Sequence, residues 1–268
     1  CRKKYLNQVA TNYLSGIGMK SVSETFSTVL ITSVLLALLG VLSFYTFVSM
    51  AGFNTTTEYM YYRQAFLSIG NSLVIPMMGG SYEISIPMYQ QSTGYGKVGS
   101  ISIFFNNSQI PAHYFECTGL ISGVRGFSRP NATIYGGNQH VVADPRLIPR
   151  VLETYSQGET RLYLDTCRLL VESEVTRGLT GVTFFYRISY YNLTVRLEYK
   201  DRPRGVVRMS MTGSPLTFSG YALNMSITFT DMILEKTLTL TPRNLSTIPP
   251  GTPLVYIITV YNLEIEVN

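Results

Sequence analysis

The chain has 268 residues, 46% of them hydrophobic and only 14% charged, with 20 Tyr, 13 Phe and no Trp. That length buries a core unaided, in one or two domains. Beyond Asn71, 16 basic residues face 14 acidic ones; this near-neutral balance excludes the clustered basic face of a nucleic-acid reader, and low charge with much Ser, Thr and Tyr points to a β-rich surface protein rather than a cytosolic enzyme.

Residues 1–21 form a short polar leader whose positive charges are Arg2, Lys3, Lys4 and Lys20, with no acid among them. The leader has no apolar core of its own, so it is not itself an export signal. A conventional signal peptide would be cut after the apolar stretch that follows, where only SMAGFN, around Ala51, offers a weak site.

No charged residue occurs from Thr25 through Thr57, and most side chains up to Met50 are aliphatic, aromatic or small. As a helix, Thr25–Met50 is about 39 Å long, enough to cross a hydrocarbon core of about 30 Å. Its apolar residues go all the way round rather than marking one stripe, so lipid or a sheath of other apolar helices must surround it. Cationic residues stay on the cytoplasmic side of a membrane helix, which puts the N-terminus inside and everything after Met50 outside. Ser21–Glu24 reads as a capping box that opens this helix, with Glu24 near its positive end.

These residues carry a resemblance. The stretch Lys20–Gly40, KSVSETFSTVLITSVLLALLG, resembles the N-terminus of archaeal type IV pilin-like proteins. In that family a basic leader meets a small residue, then a long apolar helix. The resemblance implies a class III signal peptide, removed by a leader peptidase between Ser21 and Val22 or after Gly18. The apolar helix then stays on the mature chain, which begins between Met19 and Val22. It further implies a helix continuing outward into a β-sandwich, and a homo-oligomeric helical filament of like subunits, membrane-inserted before assembly.

Beyond Thr57, Tyr59, Tyr62, Phe66 and Ile69 sit at helical spacing, which extends the helix over 22–72 with an amphipathic outer part. Pro76, Gly79 and Gly80 end it. From there the period is two. Tyr82, Ile84, Ile86 and Met88 predict one strand, and Ile101, Ile103 and Phe105 another. A single strand is expected over Tyr221–Thr230, with Tyr221, Leu223, Met225, Ile227 and Phe229 on one side. Within Thr180–Lys200 the phase changes: Val182, Phe184, Tyr186, Ile188 and Tyr190 hold one parity, and Leu193, Val195, Leu197 and Tyr199 the other. A tight turn or bulge near Tyr191–Asn192 accounts for it and places Asn192 at an exposed tip. Gly119–Pro149 reads as long loops. In the last strand Val255, Ile257, Tyr261, Leu263, Ile265 and Val267 share a face, with Glu264 and Glu266 on the wet one. No internal repeat stands out. The fold class is therefore α+β: the long N-terminal helix, then a mainly antiparallel β-sandwich over 80–268.

Six Asn-x-Ser/Thr triplets, at Asn54, Asn106, Asn131, Asn192, Asn224 and Asn244, all lie on the exported side and mark N-glycosylation candidates. A Ser/Thr-rich composition also produces such triplets by itself. Cys117 and Cys167 fall in the same part and either remain two buried thiols or pair, with Cα atoms below about 7 Å apart, closing a loop worth on the order of 4 kcal/mol. Cys1 stands apart on the cytoplasmic side.

Catalytic chemistry has little footing. His113, Glu116 and Cys117 lie close in sequence, but His113 and Glu116 alternate faces on a strand and no second cluster completes a metal site. Nucleophile elbow, P-loop and dinucleotide fingerprint are all missing from the sequence. No enzyme activity and no cofactor are expected. Two functions fit: a pilus-like filament subunit for surface adhesion, with Glu24 and Gly40 serving assembly, or a cell-surface protein with one N-terminal membrane anchor and a β-rich binding ectodomain.

Overall fold

A helix, α1, runs unbroken from Arg2 to Ser72, and a short helix α2 (Val74–Met77) follows it. No proline occurs before Pro76, so no proline interrupts the hydrogen-bond ladder of α1, and the chain turns at Gly79, whose φ of 88° suits glycine. The computed structural model describes residues 2–87, 93–178, 181–198, 204–241 and 252–268; side chains of residues 2–25, 86, 87, 178, 181 and 204 lie outside that description. Because α1 already passes through Ser21–Glu24, the expected capping box is interior to the helix of the uncut chain rather than its start.

Internal contacts divide the chain into Cys1–Asn54 and Thr55–Asn268. The second unit contains the outer part of α1, α2 and the strands. In its first half these are β1 (Ser81–Pro87), β2 (Thr93–Phe105), β3 (His113–Arg125), β4 (Ala132–Tyr135), β5 (Val141–Val142), β6 (Arg150–Ser156) and β7 (Glu159–Asp165). The second half holds β8 (Leu169–Gly178), β9 (Gly181–Leu197), β10 (Arg204–Met211), β11 (Leu216–Ala222), β12 (Met225–Asp231), β13 (Lys236–Leu240) and β14 (Leu254–Val267).

Two curled sheets result, mostly antiparallel, and the class is α+β. One has the order β1-β10-β14-β9-β8-β5, with β11 also on β14; the other runs β13-β12-β2-β3-β7-β6-β4. The parallel pairings are β14 with β9 and β5 with β8. Gly119–Pro149 is less irregular than expected, since β3 continues to Arg125 and β4 and β5 follow.

The domain has two cores. In the first, Tyr59, Tyr62, Phe66, Ile69 and Leu73 of the helical segment pack against Leu193 and Ile265 of one sheet and Leu120, Val151 and Leu164 of the other. Those five helical positions, spaced three and four apart, are each at most 2% exposed, which is one stripe of a helix. The second core is sheet on sheet, with Ile101, Ile103, Ile227 and Phe229 meeting Tyr186, Ile188, Ile258 and Val260.

The phase change near Tyr191 has a different cause from the expected turn. Strand β9 is continuous through Asn192 and pairs with β14 without a break from Phe184 to Leu197. Tyr190 faces the second core and Tyr191 the first, so the strand keeps its period while the buried side changes. Strand β14 does the same in register: Val260 serves the second core, and Leu263, Ile265 and Val267 the first. Val255 and Ile257 keep the face of Leu263, but at their end of the strand that face lies outside the first core and leaves them half-buried. Asn192 is not at a tip but half-buried in the middle of the strand pair.

That pair also holds a short repeat unnoticed in the sequence. Tyr186-Arg-Ile188 and Tyr191-Asn-Leu193 lie beside Tyr256-Ile-Ile258 and Tyr261-Asn-Leu263, each identical residue opposite its equal. The Tyr191 and Tyr261 rings stack at 4.9 Å, and Asn192 Nδ2 donates to Asn262 Oδ1 at 3.1 Å.

Two further expectations change. Tyr221–Thr230 is two strands in different sheets, with Tyr221 83% and Leu223 65% exposed and Ala222 buried. The neighbour of β11 is β14, whereas β12 pairs with β2. Glu264 is only 7% exposed and ion-paired with Arg196, so it is not on a wet face.

Candidate functional site

The apolar surface of α1 is the feature that the fold leaves uncovered. Between Phe26 and Phe53, seventeen large apolar side chains are each at least half exposed. Fully burying one such side chain is worth about 1.5–3 kcal/mol, so leaving seventeen largely in water opposes solubility by tens of kcal/mol. Three hydroxyls of the same stretch look inward. Thr32 Oγ1 donates to Thr28 O at 2.8 Å, Ser33 Oγ to Leu30 O at 2.8 Å, and Thr46 Oγ1 to Leu42 O. Hydroxyls returned to their own helix carbonyls are satisfied without water, as an apolar surrounding demands.

Gly40 lies within this surface, and a Cβ added there meets nothing within 4 Å. The subunit itself therefore gives no reason for a glycine that costs about 1 kcal/mol against alanine in a helix. Gly70, on the buried part of α1, differs. A Cβ there would lie 3.2 Å from both Tyr135 Cδ1 and Val151 Cγ2, so the missing side chain lets the helix sit close to β4 and β6.

The outer part of α1 is held by more than apolar packing. The Tyr59 ring stacks on Phe127 at 4.3 Å, and the Arg129 guanidinium lies 5.8 Å from the first ring and 5.3 Å from the second. Burial, followed by the hydrogen bond and charge of Glu153, raises the Tyr59 pKa to about 12, so its phenol stays neutral throughout the physiological range.

A buried charged cluster fixes the strand ends around the second core. Arg150, 1% exposed, donates to Asp165 Oδ2 at 2.9 and 2.5 Å and to Asp231 Oδ2 at 2.8 Å. Asp165 Oδ1 accepts from Cys167 N at 2.6 Å, and Asp231 Oδ1 from Ile233 N and Leu234 N at 3.0 and 2.9 Å. Arg168 caps the loop before β6 by donating to the carbonyls of Gly136, at 2.7 Å, Gly137 and Leu147. His140 stacks on Phe229 at 5.0 Å beside this cluster, and burial, then the Arg150 charge, lowers its pKa. With Arg150, Asp165 and Asp231 sealed from solvent, the cluster braces the fold and offers no substrate an entrance. Nothing in the sequence marked it, because its members stand 15 and 81 residues apart.

The remaining sequence-derived residues fall as follows. Cys117 and Cys167 form a disulfide, with Cα atoms 5.3 Å apart, inside the second core. His113 lies among Phe105, Phe115 and Phe218, where burial lowers its pKa. Glu116 instead pairs with Lys97 at 2.8 Å on the surface, so the His-Glu-Cys run does not converge. Among the described residues no group of three His, Cys, Asp or Glu is placed to hold a metal ion. Ser21, Val22 and Glu24 lie on α1, with side chains outside the description, and Asn244 and Cys1 lie outside the described residues altogether. Asn54, Asn106 and Asn131 are exposed, whereas Asn192 and Asn224 are half-buried.

No protein-family model, curated protein or solved structure matches this chain.

Proposed function

We propose that this chain is the structural subunit of an extracellular type IV pilus-like filament, assembled through the exposed apolar part of α1. The observation that carries this reading is the change of environment along one helix: seventeen bare apolar residues up to Phe53, then a stripe locked into a β-domain core from Tyr59. Lipid covers the bare surface before assembly, and helices of like subunits replace the lipid afterwards, so apolar surface stays out of water at each stage. The disulfide suits an exported domain, since such bonds persist in oxidising compartments.

Leader removal would convert Val22–Glu24 or Met19–Glu24 from helix interior to helix start and free an amine. Glu24 has no basic residue after it on the helix until Arg63, so the amine of a neighbouring subunit is its natural partner, fixing the stagger of adjoining helices. The surface would serve adhesion, with no catalytic step assigned.

The competing reading is a plain membrane anchor carrying a binding ectodomain, in which lipid alone covers α1. Detergent removal distinguishes the two. The chain lacking residues 1–21, purified in detergent and dialysed, is expected to form filaments of uniform diameter by negative-stain electron microscopy. Recovery only in liposomes or amorphous aggregate would favour the anchor.

A further inference from the structure

Four of the Asn-x-Ser/Thr triplets lie in the described part of the strand domain, and the fold uses their amides in two opposite ways. At Asn106 the side-chain oxygen accepts from Leu223 N at 2.9 Å, and at Asn131 it accepts from Tyr155 N at 2.8 Å. A backbone N–H can only donate, so both amides have a fixed orientation, with Oδ1 turned to the protein and Nδ2 without a partner among the described residues. Both residues are exposed. Asn106 also occupies a hairpin turn with Asn107, at φ 55° and 58°, a conformation that asparagine tolerates.

At Asn192 and Asn224 the amide nitrogen is engaged. Asn224 Nδ2 donates to Asn107 Oδ1 at 2.6 Å, and Asn192 Nδ2 donates to Asn262 Oδ1 at 3.1 Å; both residues are half-buried. The repeat explains Asn192 independently. Its counterpart Asn262 stands in Tyr-Asn-Leu-Glu, which is no acceptor triplet, and its Oδ1 accepts this bond. The strand pair thus gives this asparagine a use that does not depend on Thr194 or on the triplet.

We propose that Asn106 and Asn131 carry N-linked glycans and that Asn192 and Asn224 do not. Attachment is a substitution at the amide nitrogen. Nδ2 forms a bond to C1 of a lipid-linked glycosyl phosphate while the C1–O bond breaks. The phosphate oxygen keeps the electron pair, and the proton lost from Nδ2 passes to a base of the transferase. Only an amide whose Nδ2 is outside the fold's own hydrogen bonds accepts this without dismantling structure. Asn54, at the end of the bare apolar surface, and Asn244 do not enter the proposal.

Glycosylation at these positions requires export, which both functional readings share, and not assembly. The test is glycopeptide mapping and intact mass of the full chain exported by a host with an N-glycosylation pathway. Asn106→Gln and Asn131→Gln are each expected to remove the mass of one glycan, and Asn224→Gln to remove none. Asn192 is read by mapping on the unaltered chain, so that no change to the strand pair intervenes. A glycan on Asn192 or Asn224, or bare peptides at Asn106 or Asn131, overturns the proposal. Filament formation by the same material would be unaffected by that outcome.

Discussion

Arg150 Nη2 lies 2.8 Å from Asp231 Oδ2, across 81 residues of sequence and from the β6 side of a sheet to the end of β12. In the sheet order three strands, β2, β3 and β7, stand between β12 and β6, so only a strongly curled sheet brings them together. The contact holds that curl and closes the second core. Removing either aspartate takes away one of Arg150's two buried partners and orphans the backbone N–H groups that it accepted from, a break of about 3–5 kcal/mol. Asp231→Ala and Asp165→Ala should each lower domain stability by that order in urea unfolding. Arg168→Ala, which frees three carbonyls rather than a carboxylate, should leave the Asp165–Arg150–Asp231 bonds intact.

The Cys117–Cys167 bond closes a loop of 50 residues. In the chain-entropy model, a loop of that length contributes about 4 kcal/mol. The Cys117→Ala/Cys167→Ala double variant should lose roughly that much, and adding reductant to the double variant should then change nothing further.

Acid should weaken the domain through its two histidines. Both His140 and His113 have lowered pKa values, caused first by burial, so the folded state favours the neutral rings. Above the unfolded value of about 6.5 both states are neutral and the stabilisation is complete. As pH falls below it, the unfolded chain takes up protons first, and stability is lost until the folded value is reached. Between pH 7.5 and 5 the parent's Tm should fall more steeply than that of a His113→Asn/His140→Asn variant. Equal slopes would show that neither ring is held neutral by the fold.

Two glycines on one helix separate folding from assembly. Gly40→Leu meets nothing within the subunit, so the domain should unfold at the parent's midpoint and the chain should insert normally, yet assemble poorly because helices are forced apart. Gly70→Leu should do the reverse, unfolding earlier by about 1–3 kcal/mol, because Tyr135 and Val151 already crowd that site. Glu24→Gln should reach the membrane and be processed, with filament yield reduced. If Gly40→Leu and Glu24→Gln both form filaments as readily as the parent, the helix is simply an anchor.

What was legible in the sequence divides along physical lines. A charge-free run and a three-four spacing of Tyr59, Tyr62, Phe66 and Ile69 are local signals, and they located α1 and its buried stripe. Alternation found β1, β2, β9 and β14 but misjudged Tyr191, because a change of parity looks the same whether the chain turns or its buried side changes. It also merged β11 with β12, since Tyr221 and Leu223 keep the parity of Met225 while lying in the open. The charged cluster stayed hidden because strand pairing, not spacing, assembles Arg150, Asp165 and Asp231. The Tyr-Asn-Leu repeat was short enough to pass as coincidence until β9 and β14 were seen side by side.

N-terminal sequencing of the chain recovered from its native cell surface tests the central claim most directly. Filaments sheared from cells should contain this chain beginning at Met19 or Val22, with Glu24 within its first six residues. A mature chain found only in membranes, with Arg2, Lys3 and Lys4 still attached, would contradict assembly into a filament and leave α1 as an anchor.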